Sequence, residues 1–362
     1  MAPQLITSLL LLLLLPLFFF PPSSANQTYN IVDYGGHAGR QALLNGPCRN
    51  NHIHIHIKGT IVAPSSYTSN EQWIMFKNVN GLTISGGLFD GRGQALWSCK
   101  TNSNNHNSCP NGSTSLTFAY CNNVRLNRLR SVNSEQFHIS IYRSSNVKVR
   151  YITVSAPFNS PNTDGIHIEG STNVAVLGCR IATGDDCISM GPGDTNIWIE
   201  NIRCGPGHGI SIGSLGYKNG QDGVQNVTVK NIHFTGTQNG FRIKTWAKPN
   251  NGFAQQILFH NASMNNVKNP IIIDQYYCPD HYNCPTESSG VQISDVTFRD
   301  VWGSSATETA VTLECSESRP CKGIVLQNIK LGYNGDGEVK MLCSNVHGRS
   351  SGLVIPPCCI SE

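Results

Sequence analysis

Six polar residues stand out by type and spacing. Three segments share one pattern, a polar residue followed by a small residue and an isoleucine: Asp164-Gly165-Ile166, Asp186-Cys187-Ile188 and His208-Gly209-Ile210, spaced by 22 residues both times. In a chain of short stacked strands, that interval would place Asp164, Asp186 and His208 in one column at steps of about 4.8 Å. Asp185 lies beside Asp186, and Arg242 and Lys244 fall at outward positions of a similar later segment. Carboxylates this close repel, so at least one carboxyl pKa is expected to be raised. A protonated carboxyl beside ionised ones is what hydrolysis of a glycosidic bond requires: one acid protonates the leaving oxygen and another carboxylate activates water. The two cations would hold an anionic sugar, Arg242 in bidentate fashion. Aspartates that merely turn the chain could explain Asp164 or Asp186 singly, but not the stacked set. Calcium is the other use of clustered carboxylates. The interposed Arg242 and Lys244 argue against it, and acid–base hydrolysis needs only water, so no metal and no cofactor is expected.

The elements that must position these residues repeat along the chain. An eight-residue phrase with apolar positions one, three, six and often eight starts at Leu82, Val124, Val147, Val174, Ile197, Val227, Ile257, Val291 and Ile324. Each copy reads as two short strands joined at a one-residue corner where the alternation changes phase. A third strand follows at Gly165, Cys187, Gly209 and Phe241. Repeating strands without helical periodicity predict a single-domain, all-β parallel β-helix, a solenoid of stacked coils. A β-sandwich is the alternative, but its strands do not recur in fixed triplets. Alternation along the third strands turns Ile166, Ile188 and Ile210 inward. His167, Ser189, Ser211 and Arg242 then share the next outward position, and Glu169, Gly191, Gly213 and Lys244 the one after. Serine and glycine there leave a groove with two cations on its wall. The role of His167, which flanks the column, is left open, and His54 and His56 read as surface strand residues.

Composition sets the outer bounds. With 39% hydrophobic and 13% charged residues over 362 positions, the chain can build a core and is not a disordered protein. A net charge of +4 suits an acidic partner, while the lack of any Lys/Arg run excludes a nucleic-acid reading. Residues 9–15 are unbroken leucine, and Ser23-Ser24-Ala25 follows. This reads as an export signal over residues 1–25, cleaved after Ala25, with a mature domain at 26–362. No later segment resembles a membrane helix, so no membrane attachment is expected after cleavage. The 14 cysteines fit an oxidising compartment. Short spacings point to Cys99/Cys109, Cys187/Cys204, Cys278/Cys284 and Cys315/Cys321, and the lack of any Cys-x-x-Cys makes zinc a weak reading. Sequons at Asn26, Asn111, Asn226 and Asn261 would accept glycans.

Four short motifs in order, Asn162-Thr163-Asp164, Gly184-Asp185-Asp186, Gly207-His208-Gly209 and Arg242-Ile243-Lys244, together with a tyrosine motif in Asp274-Gln275-Tyr276-Tyr277-Cys278, resemble glycoside hydrolase family 28. The similarity runs from about Gly46 to Cys343 and again over residues 29–35. It implies a right-handed parallel β-helix that hydrolyses α-1,4-galacturonan in pectin with inversion. It also implies that Asp185 is the general acid and that Asp164 and Asp186 position and activate the water. His208 would tune the acid, Arg242, Lys244 and Tyr277 would bind galacturonate, and Asn162 would orient polar groups beside Asp164. A secreted, monomeric cell-wall enzyme is implied. The phrases at residues 239–246 and Cys278-Pro279-Asp280 look like the plant enzymes, especially the pollen exo-acting branch, so exo action is favoured over endo. One departure matters. Only residues 35–45 join the Tyr34 motif to Gly46, several tens fewer than the family pattern, so the N-terminal cap and first coil are expected to be shortened and folding compromised. Two other pectin enzymes, a lyase and a rhamnogalacturonan hydrolase, fit the motifs less well. A non-catalytic wall-binding protein is the reading from another class.

Overall fold

The computed structural model describes residues 42–64, 72–101, 109–218, 220, 222–279 and 283–361. The export signal, the Asn26 sequon, the 29–35 motif, the shortened cap and Asp280 lie outside the described residues. Parallel strands stack into an 11-stranded sheet and a 14-stranded sheet, with one short helix, Gln94–Thr101, among the described residues. The strands Ile166–Glu169, Ile188–Met190 and Ile210–Leu215 pair in the 22-residue register expected, Ile166 on Ile188 on Ile210, and all three isoleucines are fully buried. Arg242 continues the row of His167, Ser189 and Ser211. The core is therefore a set of apolar columns, each residue packed on its counterpart in the next coil. Val229, Phe259 and Phe298 form one of them, with the Phe259 and Phe298 ring centroids 5.1 Å apart, and Phe241 of the facing sheet stacks on Phe259 at 4.5 Å.

Two expectations about the repeat need correction. Ile257 pairs with Val296 and Ala262 with Val301, so the eighth copy of the phrase starts at Val296 and not at Val291. Both windows satisfy the same apolar spacing, and alternation alone cannot separate them. The corner is the second. In the second to fourth copies the phrase does break, as at Asn122–Asn127 and Arg130–Val132. In later coils it runs as one bent strand, as in Thr195–Cys204, Val224–Thr235 and Phe253–Val267. There the bend is made by Asn201, Asn231 and Asn261, with φ of 58°, 57° and 58°, a left-handed conformation that asparagine tolerates better than most residues.

Asparagines also line the other corner. Asn146 donates its amide to Asn122 (2.9 Å), Asn173 to Asn146 (3.2 Å), Asn196 to Asn173 (3.1 Å) and Asn226 to Asn196 (2.6 Å). The Asn261 amide donates to Asn231 in the same way and is half-buried. Of the described sequons, Asn226 and Asn261 are thus ladder members, while Asn111 is simply exposed.

All four disulfides expected from spacing form, and Cys343–Cys359, which spacing did not mark, joins them. Cys48, Cys121, Cys179 and Cys358 are unpaired, with Cys121 and Cys179 buried as small apolar residues of the core. At the N-terminal end Ile53, Ile55 and Ile57 are only partly buried, whereas Leu82 and Ile84, their partners one coil on, are 1% exposed. Phe259 packs against both Phe241 and Phe298, and removing its ring leaves a cavity that rigid neighbouring coils cannot fill. Phe259→Ala is expected to lower the unfolding free energy by about 3–5 kcal/mol, read from urea denaturation. A loss below about 1 kcal/mol would show that the column does not carry the core.

Candidate active site

The turn that carries Asp185 and Asp186 is fixed from four directions. Gly184 lies so close to the preceding coil that a β-carbon there would meet the Ser160 carbonyl oxygen at 2.0 Å, which explains the glycine. Its N–H donates to Thr163 Oγ1 at 3.0 Å. Asp185 accepts the Asp186 N–H on its own Oδ1 at 2.8 Å. The next residue is bridged by the Cys187–Cys204 disulfide, and Cys187 N–H donates to the Gly209 carbonyl at 2.7 Å.

Burial then separates the three carboxylates. Asp186 is 1% exposed. It accepts hydrogen bonds from Ser211 Oγ (2.7 Å), Arg242 Nη2 (2.7 Å) and Lys244 Nζ (3.0 Å). Burial alone would raise its pKa, but Arg242 and Lys244 outweigh it and hold the carboxyl well below the usual range. Asp164, 6% exposed, receives one hydroxyl, from Ser189 at 2.6 Å. Burial, and then the charges of Asp185 and Asp186, push it well above the ordinary carboxylate range. Asp164 is thus the raised carboxyl that the spacing predicted. Asp185 is the most open of the three, its side chain 20% exposed, and His208 Nδ1 lies 3.0 Å from its Oδ1. His208 is itself held by Asn239, which donates to its carbonyl at 2.9 Å.

The cations do not wait in an open groove. The Arg242 and Lys244 side chains are 10% and 9% exposed, and both are engaged with Asp186. Lys244 Nζ also sits 5.1 Å from the centroid of the Tyr277 ring. Tyr277 packs edge-on against Trp246 (5.5 Å), which packs against Tyr217 (5.0 Å), and Lys248 Nζ covers the Tyr217 ring at 4.3 Å. This aromatic and cationic wall extends the site away from the carboxylates. Burial, against the pull of Lys244 and Arg242, raises the Tyr277 hydroxyl pKa. Tyr276, 44% exposed, takes no part in the cluster, so Tyr277 is the tyrosine brought to the site.

The hydrogen bond received by the Asp164 side chain comes from Ser189 and not from Asn162. Asn162 is exposed in a left-handed turn with φ of 58°, and it is the buried Thr163 that ties the Asp164 turn to Gly184. Ser189 and Ser211 are the residues that spacing undervalued. Spacing marks them only as small rungs that open a groove, yet each donates to a carboxylate, and each lies 25 residues after the aspartate it serves. His54 and His56 are exposed, as expected, and contact Ser85 at 2.9 and 3.0 Å. No cluster of three or more metal-ligating side chains occurs among the described residues.

The raised carboxyl has a consequence for stability. A carboxyl whose folded pKa lies above its unfolded value binds a proton that the unfolded chain has released. Its contribution is fully present below the unfolded pKa of about 3.9 and is lost as pH rises through the folded value. At neutral pH an ionised Asp164 therefore costs stability. Asp164→Asn should melt above the parent at pH 7, and the difference should shrink as pH falls toward the unfolded value. A variant that melts below the parent at pH 7 would contradict this reading of Asp164.

The sequence matches a family model described as Glycosyl hydrolases family 28 over residues 25–355. It is 52% identical over 324 residues to a polygalacturonase of Prunus persica, covering 89% of this chain and 82% of that protein. It is 38% identical over 331 residues to an exopolygalacturonase of Platanus acerifolia, covering 90% and 87%. Among solved structures, endo-xylogalacturonan hydrolase from Aspergillus tubingensis superposes with a TM-score of 0.74 over 87% of this chain and 93% of that one, at 21% identity, a likeness of fold: the right-handed parallel β-helix. Sequence match, fold and the stacked carboxylates agree along nearly the whole length, and the chain belongs to glycoside hydrolase family 28.

Proposed function

We propose that this protein hydrolyses the α-1,4-galacturonosidic linkages of polygalacturonate by a single displacement with inversion. The observation that carries the reading is the division of labour among the three carboxylates. Asp185 is the one with a solvent-facing side chain, and its Oδ1 is occupied by the Asp186 N–H and faced by His208, so Oδ2 is left to carry the proton. That proton passes to the glycosidic oxygen as the bond from the anomeric carbon breaks, and after the products leave, the proton that Asp164 takes from the water is released to solvent. A water on the opposite face of the sugar attacks the same carbon. Asp186, pinned as an anion, is a weak base and serves to hold that water. Asp164, whose pKa is raised by burial, is in its ionised form the stronger base and takes the water's proton. The new reducing end leaves with inverted configuration, and exchange with solvent returns a proton to Asp185.

The substrate is a polyanion, and the site's cations favour one. Arg242 and Lys244, with Tyr277 beside them, would receive a galacturonate carboxylate at the N–H groups that Asp186 leaves free. The Trp246–Tyr217–Lys248 wall offers ring faces and a further cation to the next sugar. Support for the substrate also comes from the polygalacturonase and exopolygalacturonase relatives. Five disulfides fit a secreted, cell-wall setting, and no described helix is long and apolar enough to cross a membrane. Action as a monomer from chain ends completes the proposal.

Reducing-end release from polygalacturonate, with product sizing, tests it. The parent should release galacturonate monomer from the start, whereas a ladder of oligomers would make it endo-acting. Asp185→Asn should lower kcat by about 10²–10⁴-fold while still binding oligogalacturonate. Undiminished turnover in that variant would remove Asp185 from the mechanism.

A further inference from the structure

The two buried aspartates are served by the same device, built from different residues. On one rung Ser211 donates to Asp186 at 2.7 Å and accepts from Arg242 Nε at 2.9 Å. On the other, Ser189 donates to Asp164 at 2.6 Å and meets His167 Nδ1 at 2.8 Å. A serine hydroxyl has one hydrogen. With that hydrogen given to Asp164, the contact with His167 is made by an Nδ1–H that donates to the serine oxygen. His167 is fixed in turn: its ring stacks on Phe137, centroids 4.5 Å apart, and Nε2 faces Glu169 Oε2 at 3.4 Å.

We infer that His167 is a positioning residue for Asp164, acting through the Ser189 hydroxyl; the inference rests on the reading of Asp164 as the base that accepts the water's proton. The two relays differ in one respect that matters. Arg242 reaches past its serine and bonds Asp186 directly, which pins that carboxylate as an anion. His167 reaches Asp164 through the hydroxyl alone. Asp164 therefore gains orientation without a cation in contact, and it keeps the basicity that burial confers. With Oδ2 held by Ser189, the other oxygen is presented to the water. Without the Nδ1–H, the hydroxyl can rotate away and leave a buried carboxylate with no donor, a costly loss. His167 was the histidine whose role spacing left open. Its assignment here comes from the matching 25-residue offsets and the shared geometry of the two serines.

The test is a double-mutant cycle on oligogalacturonate hydrolysis, using the full chain, with melting temperature and circular dichroism confirming that each variant is folded. His167→Ala and Ser189→Ala should each lower kcat about tenfold or more, with KM nearly unchanged. The double variant should be no slower than the worse single variant, because both remove one relay. His167→Asn, whose side-chain amide can supply the lost N–H, should recover most of the rate. Multiplicative losses in the double variant, or a loss confined to KM, would overturn the inference and make His167 a substrate contact. A folded parent that releases no reducing ends would instead overturn the functional reading, and this inference with it.

Discussion

Parallel stacking of coils in strict register is the constraint on which the rest depends. Each coil places its equivalent residue directly over the last, at the spacing of strands in a sheet. In the core this repeats one favourable packing, as in the columns of Ile166, Ile188 and Ile210 or of Val229, Phe259 and Phe298. At the corners it lets asparagines hydrogen-bond in ladders. On the outer face the same rule is unfavourable, since it stacks one carboxylate on another. The site is the place where that cost is accepted and divided among neighbours.

The division follows from which group occupies each rung. Asp186 has Arg242 and Lys244 in contact, so its burial is offset by two cations. A buried pair of this kind adds little net stability, because desolvation offsets the attraction, but it fixes charge and geometry. Asp164 has a serine only, and its charge stays unfavourable. Asp185, on the turn itself, keeps contact with solvent. Three chemically identical side chains thereby acquire three different sets of partners and exposures from a backbone that repeats. Gly184 and the Cys187–Cys204 bridge hold the turn close enough for these differences to persist.

Much of this was legible in the sequence, for a physical reason. A solenoid converts intervals along the chain into contacts in space, so the 22-residue spacing gave the column, and an outward position shared by His167, Ser189, Ser211 and Arg242 gave the row. What spacing could not give was the direction of a side chain within its rung. Ser189 and Ser211 looked like gaps and proved to be donors. Arg242 and Lys244 looked free and are engaged with Asp186. Asn162, adjacent in sequence to the site, is exposed on a left-handed turn, and the bond across to Gly184 is made by Thr163. The misplaced coil start at Val291 has the same origin: two windows five residues apart satisfy one apolar pattern, and only pairing with Ile257 selects Val296.

The central claim is that Asp164 and Asp186 activate a water on the face of the sugar opposite Asp185, with no covalent intermediate. Proton NMR of the anomeric signal during the first moments of hydrolysis reads this directly, before the product sugar mutarotates. The account predicts that the new reducing ends, cut from α-linked galacturonate, appear first as the β anomer. Products that appear first as the α anomer would contradict it.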